Sequence, residues 1–220
     1  MWEGFLVALE NPGGTSVIFR RTYPELEKSL IRRSLGVFPR EITKYNETKK
    51  LWRIKTGPGT PDSFLQFDHL KNEHDVYKHQ SAEYVFIGFD ELTHFTEYQY
   101  EYMTSRNRAN MPGAWPRMRS TSNPGNIGHS WVRKRFLPQK KEMEGKIWAP
   151  EPKRAGDKIK TRMFIKSRIF DNKILMKNDP MYLATLQALP KAQRAMLLDG
   201  NWDVFAGQAL PDRDWETSGS

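Results

Sequence analysis

Glu83-Tyr84-Val85-Phe86-Ile87-Gly88-Phe89-Asp90-Glu91 is the stretch whose reading decides the fold. From Tyr84 to Phe89 the run is apolar or aromatic, broken only by Gly88, and it leads straight into two adjacent carboxylates. A run this short and continuous reads as a central strand of a parallel sheet, buried on both faces. Two charges inside such a sheet would carry a heavy desolvation cost, so Asp90 and Glu91 belong just beyond its carboxyl end. Open α/β sheets bind their ligands at that edge. A nucleotide-hydrolysing site uses such a pair, one carboxylate to hold Mg²⁺ and one to orient or deprotonate the attacking water. The two acids could equally open a following helix, whose N-terminal dipole favours negative charge. The local pattern leaves both readings open.

Downstream, Arg117-Met118-Arg119-Ser120-Thr121-Ser122-Asn123-Pro124-Gly125-Asn126 reads as another short strand ending in small polar residues and a turn. Proline fixes φ and glycine permits the left-handed region, so Asn-Pro-Gly reverses the chain by a known mechanism. Around these two segments strands and helices alternate. The pattern predicts a helix over 1–10, a strand over 16–20, and a helix from Pro24 to about Arg33. Two short strands, 51–55 and 63–67, flank a Gly/Pro-rich excursion. Helices follow at about 98–107 and 131–136, with a strand expected at 162–170. A helical pair over 180–188 and 191–198 is broken at Pro190. Residues 140–160, charged and rich in Gly and Pro, read as a surface loop.

Taken together, these segments resemble the ATPase domain of the large terminase subunit of tailed bacteriophages. The resemblance rests on Val17-Ile18-Phe19-Arg20-Arg21-Thr22, then Phe86–Leu92, Ser105-Arg106-Asn107-Arg108, and Ser122-Asn123-Pro124-Gly125-Asn126 with Trp131 and Phe136. The run Leu198-Asp199-Gly200-Asn201-Trp202-Asp203-Val204-Phe205 is similar to the segment leading from that ATPase towards the family's nuclease domain. The resemblance implies a P-loop NTPase core of the ASCE type, an α/β fold with a mostly parallel central sheet flanked by helices. It divides the chain into an ATPase core over 1–170, a small helical linker subdomain over 171–205, and the start of a lead-in or tail over 206–220. It implies ATP-driven translocation of double-stranded DNA into a preformed capsid, in the cytoplasm of a bacterial host. It further implies ATP and Mg²⁺ as cofactors of the complete protein, a ring of subunits, and a portal protein and a small terminase subunit as partners. Asp90 would hold Mg²⁺ through water and Glu91 would position the hydrolytic water. Ser122, Asn123 and Asn126 would sense the nucleotide and couple hydrolysis to movement. Arg20, Arg106 and Arg108 are the candidates for the family's arginine finger, with a surface salt bridge as the alternative for each.

No Gly-x-x-x-x-Gly-Lys-Ser/Thr occurs in the chain, and Asn11-Pro12-Gly13-Gly14 lacks both the lysine and the hydroxyl. By the resemblance, residues 1–10 correspond to the later part of the helix that follows the P-loop. The expectation is a chain that begins downstream of that loop and stops before the nuclease domain. Such a chain would bind neither ATP nor Mg²⁺ alone. A non-catalytic prophage remnant and another nucleic-acid-dependent ATPase are the competing readings.

Charge is unevenly distributed. The chain carries 35 Lys and Arg against 26 Asp and Glu, a net charge of +9. Residues 101–170 alone hold 17 basic and 5 acidic residues, so the whole positive excess lies after the acidic pair. Arg133, Lys134 and Arg135 head that excess and are the candidate DNA-binding residues, set against an ordinary solvated basic face. No base-reading motif accompanies them, so contacts would be to the phosphate backbone. There are no cysteines, which excludes disulfides and thiolate metal sites. No apolar run reaches membrane-spanning length, and residues 1–10 lack the basic start of a secretory leader, so a cytoplasmic protein is expected. His69, His74 and His79 are spaced by five, which does not align them for a metal on one helix face.

Overall fold

In the computed structural model the chain is described over residues 1–137, 144–151 and 160–204. Two compact units divide it, residues 1–122 and residues 123–220. The first is built on a six-stranded sheet in the order β2-β3-β4-β1-β5-β6. Its strands are β1 (Thr15–Arg20), β2 (Thr43–Asn46), β3 (Leu51–Ile54), β4 (Ser63–His69), β5 (Phe86–Phe89) and β6 (Arg117–Ser120). β4, β1, β5 and β6 run parallel, while β2, β3 and β4 pair antiparallel. The mostly parallel α/β sheet is therefore as the apolar runs predict.

β1 and β5 occupy the centre, and their burial follows. Val17, Ile18 and Phe19 are buried, as are all four residues of β5. Each large side chain buried there contributes about 1.5–3 kcal/mol of transfer free energy. Helix α1 (Trp2–Glu10) lies over them, with Phe5, Val7 and Ala8 in the same core as Ile18, Val85 and Phe86. Gly4 permits the close approach, because a Cβ there would stand 3.1 Å from the Phe86 ring. The turn at Asn11–Gly14 returns the chain from α1 to the amino end of β1, with Gly13 at φ +83°.

A second helical run follows β1. α2 (Tyr23–Leu26) passes through a π-helical turn, Glu27–Ile31, into α3 (Arg32–Val37). Pro24 sits in its first turn, where a missing N–H costs nothing, and Thr22 closes a capping box with Glu25. Beneath α3, Trp52 is fully buried and donates its indole N–H to Ser34 Oγ at 3.0 Å. α4 (Glu97–Thr104) starts at Thr96, whose hydroxyl accepts the Gln99 N–H.

The second unit holds α5 (His129–Phe136), α6 (Lys173–Asn178), α7 (Pro180–Gln187) and α8 (Lys191–Leu197). The expected strand at 162–170 does not form. Arg162 makes a single bridge with Trp148, and Ile169–Asp171 is a 3₁₀ turn. Much of the 140–160 loop and all of 206–220 lie outside the described residues. Among the described residues no helix is long and apolar enough to cross a membrane.

Candidate functional site

The parallel strands end at one edge, with Arg20, His69, Asp90 and Thr121 closing or following β1, β4, β5 and β6. Asp90 continues the ladder by donating its N–H to the Phe19 carbonyl at 2.9 Å. Its carboxylate is held on both sides. Oδ2 accepts from Arg20 Nε at 2.6 Å, and Oδ1 accepts from Thr121 Oγ1 at 2.6 Å. Thr121 Oγ1 also accepts the Glu91 N–H at 3.2 Å. The Thr121 backbone donates to Phe89 and accepts from Leu92, so one residue ties the ends of β5 and β6 together.

Glu91 stands at φ +59°, in the left-handed region. A non-glycine residue there is uncommon and costs roughly 1–2 kcal/mol, and such strain clusters at functional sites. Neither acid caps the α-helix that follows. Only the 3₁₀ turn Leu92–His94 comes next, and α4 has its own cap in Thr96. Ser122 Oγ accepts the Thr93 N–H at 3.2 Å, joining the polar end of the β6 segment to that turn. The start of α1 faces the same edge. Burial pushes the pKa of the Met1 amino group down, and the Asp90 carboxylate is the largest influence opposing it.

The remaining sequence-derived candidates fall elsewhere. Arg106 and Arg108 lie by the amino end of β5, where the Arg106 carbonyl accepts the Tyr84 N–H. Arg106 lies over the Tyr102 ring and bonds the Gln80 carbonyl, and Arg108 pairs with Glu83 at 3.1 Å. Within one chain neither reaches Asp90. The Asn11–Gly14 turn also sits at the amino edge, so it cannot serve as a phosphate loop for the acidic pair. Asn123 and Asn126 belong to the second unit. Asn126 adopts φ +59°, which asparagine tolerates. Their turn is pinned by His129, whose Nδ1 accepts the Gly125 N–H at 2.9 Å while Nε2–H donates to the Trp202 carbonyl at 3.1 Å. Arg133 and Lys134 are exposed on α5, and Arg133 forms an ion pair with Asp203. Thr121 and His129 were not among the residues that the sequence singled out. Each works through a contact between segments distant in the chain, which spacing does not reveal.

The groups gathered at the ends of β5 and β6 offer oxygen donors: Asp90, Glu91 and the hydroxyls of Thr121 and Ser122. This set suits Mg²⁺ and not a soft metal. Asp90, Glu91 and the two hydroxyls therefore fit the hard divalent ion that the fold implies.

The parallel strands thus carry an acidic pair at their carboxyl edge, with a helix start beside it, where open α/β sheets bind ligands. Residues 4–217 match the family described as terminase large subunit, T4likevirus-type, N-terminal. The chain belongs to that family. Among solved structures it is similar to the large terminase of a thermophilic bacteriophage, at TM-score 0.63 and 17% identity over 90% of this chain and 43% of that one. Another structure of that terminase, in complex with ADP, matches at TM-score 0.59 and 16% identity, over 87% of this chain and 41% of that one. The chain thus spans about two fifths of the terminases it resembles, and at these identities the likeness is one of fold. Among curated proteins, none matches the chain.

Proposed function

We propose that this chain is the ATPase portion of a viral DNA-packaging motor subunit, which drives double-stranded DNA into a procapsid in the host cytoplasm. The observation that carries the reading is the Asp90–Glu91 pair at the carboxyl edge, with Asp90 held by two donors and Glu91 in a strained backbone conformation. Asp90 would hold Mg²⁺. Glu91 orients the attacking water and takes its proton. Bound Mg²⁺ would supply positive charge to the β- and γ-phosphates. Thr121 and Ser122 fix the edge, and Ser122, Asn123 and Asn126 sense the nucleotide. Arg106 and Arg108, at the opposite edge of the sheet from Asp90, are the candidates to reach a neighbouring subunit's nucleotide, while Arg20 is already committed to Asp90. The positive excess over 101–170 supports duplex DNA as the polymer moved. The portal protein, the small terminase subunit and ring assembly follow from the family reading.

The chain's own sequence has no P-loop, so this polypeptide alone should bind Mg-ATP weakly and turn over none of it. The test joins a Gly-Lys-Ser/Thr loop and its strand in frame ahead of α1. Glu91→Gln should then abolish hydrolysis and leave ATP binding near normal, and Asp90→Asn should weaken Mg²⁺-dependent binding. Wild-type turnover by both variants would refute the assignment. No turnover by the restored protein itself, with its fold intact, would favour a non-catalytic remnant.

A further inference from the structure

The geometry points to Arg20 as an electrostatic latch on the cation site: its guanidinium occupies Asp90 when no divalent cation is bound and must withdraw for the cation to engage. The inference rests on the reading of Asp90 as the Mg²⁺ carboxylate. Arg20 closes β1 and Asp90 follows β5, the two central strands, so the pair is fixed by the sheet and not by loop placement. Arg20 Nε stands 2.6 Å from Oδ2, and both side chains are about four-fifths buried, at 21% and 20% exposure. The pair is therefore shielded from the screening that makes surface ion pairs weak. The second oxygen is held by the neutral hydroxyl of Thr121, also at 2.6 Å. The two contacts differ in kind. A hydroxyl can turn to let a metal-bound water donate to the same oxygen, whereas a guanidinium beside a divalent cation opposes it by its charge.

Arg20 is also placed to report its own movement. Its carbonyl accepts the Leu70 N–H at 3.2 Å, and neighbouring Arg21 reaches the His94 carbonyl at 3.1 Å and Gln99 Oε1 at 3.4 Å. The start of α2 and the turn after Glu91 are thus tied to the residue beside the latch. Release of the guanidinium frees a cation at the carboxyl edge just as the divalent ion takes its place. Affinity for the ion is then held down, though not abolished, until something anionic draws Arg20 away, and this suits a motor that must not fire before nucleotide arrives.

The test titrates this chain with Mn²⁺ alone, read by the electron paramagnetic resonance of the free ion. Arg20→Gln should tighten Mn²⁺ binding by about tenfold or more, the size of effect expected from removing a unit charge a few ångströms away in a largely buried site. Arg20→Lys, which keeps the charge, should bind like the parent, and Thr121→Val should change affinity by less than about threefold. The gain should vanish in Arg20→Gln/Asp90→Asn. In the unsubstituted chain, the Arg20 Nε–H resonance should shift as Mg²⁺ saturates, a readout that needs no variant to fold. If Arg20→Gln binds no tighter, if Thr121→Val tightens binding as much, or if the resonance stays put at saturating Mg²⁺, the latch is overturned. If the gain survives Asp90→Asn, the cation sits elsewhere, and the reading of Asp90 fails with the latch.

Discussion

At the scale of single residues, Glu91 and two histidines yield opposite kinds of prediction. Glu91 sits at φ +59°. Glu91→Gly removes strain of about 1–2 kcal/mol and loosens the unfolded chain at a cost of about 0.4–1 kcal/mol. Urea denaturation should therefore find the variant as stable as the parent or slightly more so, although a candidate catalytic carboxylate has gone. A clear loss of stability would mean that Glu91 serves the fold and not the chemistry. His79 and His129 behave differently. His79 Nδ1 meets the Tyr84 hydroxyl at 2.7 Å with Asp68 Oδ2 3.6 Å from Nε2, and burial still outweighs that carboxylate and pushes its pKa down. Burial likewise lowers the pKa of His129, whose Nδ1 must stay unprotonated to accept the Gly125 N–H. Both fold neutral, so the unfolded chain takes up protons first as pH falls. Their stabilisation is complete above the unfolded pKa of about 6.5 and is lost as pH drops through the lower folded values. Denaturation midpoints should be flat from pH 8 to 7 and fall below about 6.5, with a shallower fall in His79→Gln. An equal slope in that variant would assign the acid sensitivity elsewhere. The sequence singled out Asp90 and Glu91 because two acids after an apolar run stand out in one dimension. Arg20 holding Asp90, and His129 tying Gly125 to Trp202, join residues some seventy positions apart, and no spacing encodes such pairings.

At the scale of elements, what was legible depended on how continuously apolar each segment is. β1, β3, β4 and β5 were readable because their cores are buried runs or alternations, whereas β6, with no buried residue, was readable only from the Asn-Pro-Gly turn into which it leads. β2 (Thr43–Asn46) was missed, since an edge strand with only Thr43 buried shows no apolar pattern. Residues 162–170 erred in the other direction. Met163 and Ile165 are 44% and 67% exposed, and among the described residues no sheet receives them. α6 (Lys173–Asn178) also escaped, being a six-residue helix with no buried residue and only an Asn172 cap to announce it. The central strand carries its own test. Gly88 lies between β1 and β6, and a Cβ there would stand 3.1 Å from both Ile18 Cγ1 and Phe86 Cε1. Gly88→Val should overpack this core and cost about 1–3 kcal/mol in urea denaturation. Gly36→Val is the comparison, since nothing lies within 4 Å of a Cβ there. If the two cost the same, the loss reflects glycine's backbone and not the packing of α1 and β1 over β5.

At the scale of the whole molecule, the decisive property is the placement of charge. Outside residues 101–170 the chain has 18 basic and 21 acidic residues, so any sustained attraction to a polyanion must come from that one stretch. Within it, α5 offers Arg133 and Lys134 to solvent, while Arg135 is half-buried and its carbonyl accepts from Arg162 at 2.9 Å. Binding of duplex DNA by this chain should be weak, independent of sequence, and steeply salt-dependent, because neutralised phosphates release counterions. Replacing Arg133, Lys134 and Arg135 with alanine could lower the slope of log-affinity against log-salt by up to about 3 if all three met phosphate. Arg133 is already paired with Asp203, and a cation that must first leave an acid contributes less, so the expected drop is nearer to about 2. Lys50 makes a poor member of any control set, since it lies over the Tyr23 ring at 4.2 Å and adopts φ +51°. Lys44, Lys49 and Lys55 are exposed, equally basic and outside the stretch, and they give the matched triple. Fluorescence anisotropy from about 50 to 200 mM salt should show the slope falling for the α5 triple and holding for the control. Equal losses would mean that the basic stretch is a solvated face with no path for DNA, and the +9 of the chain would then speak only to its solubility.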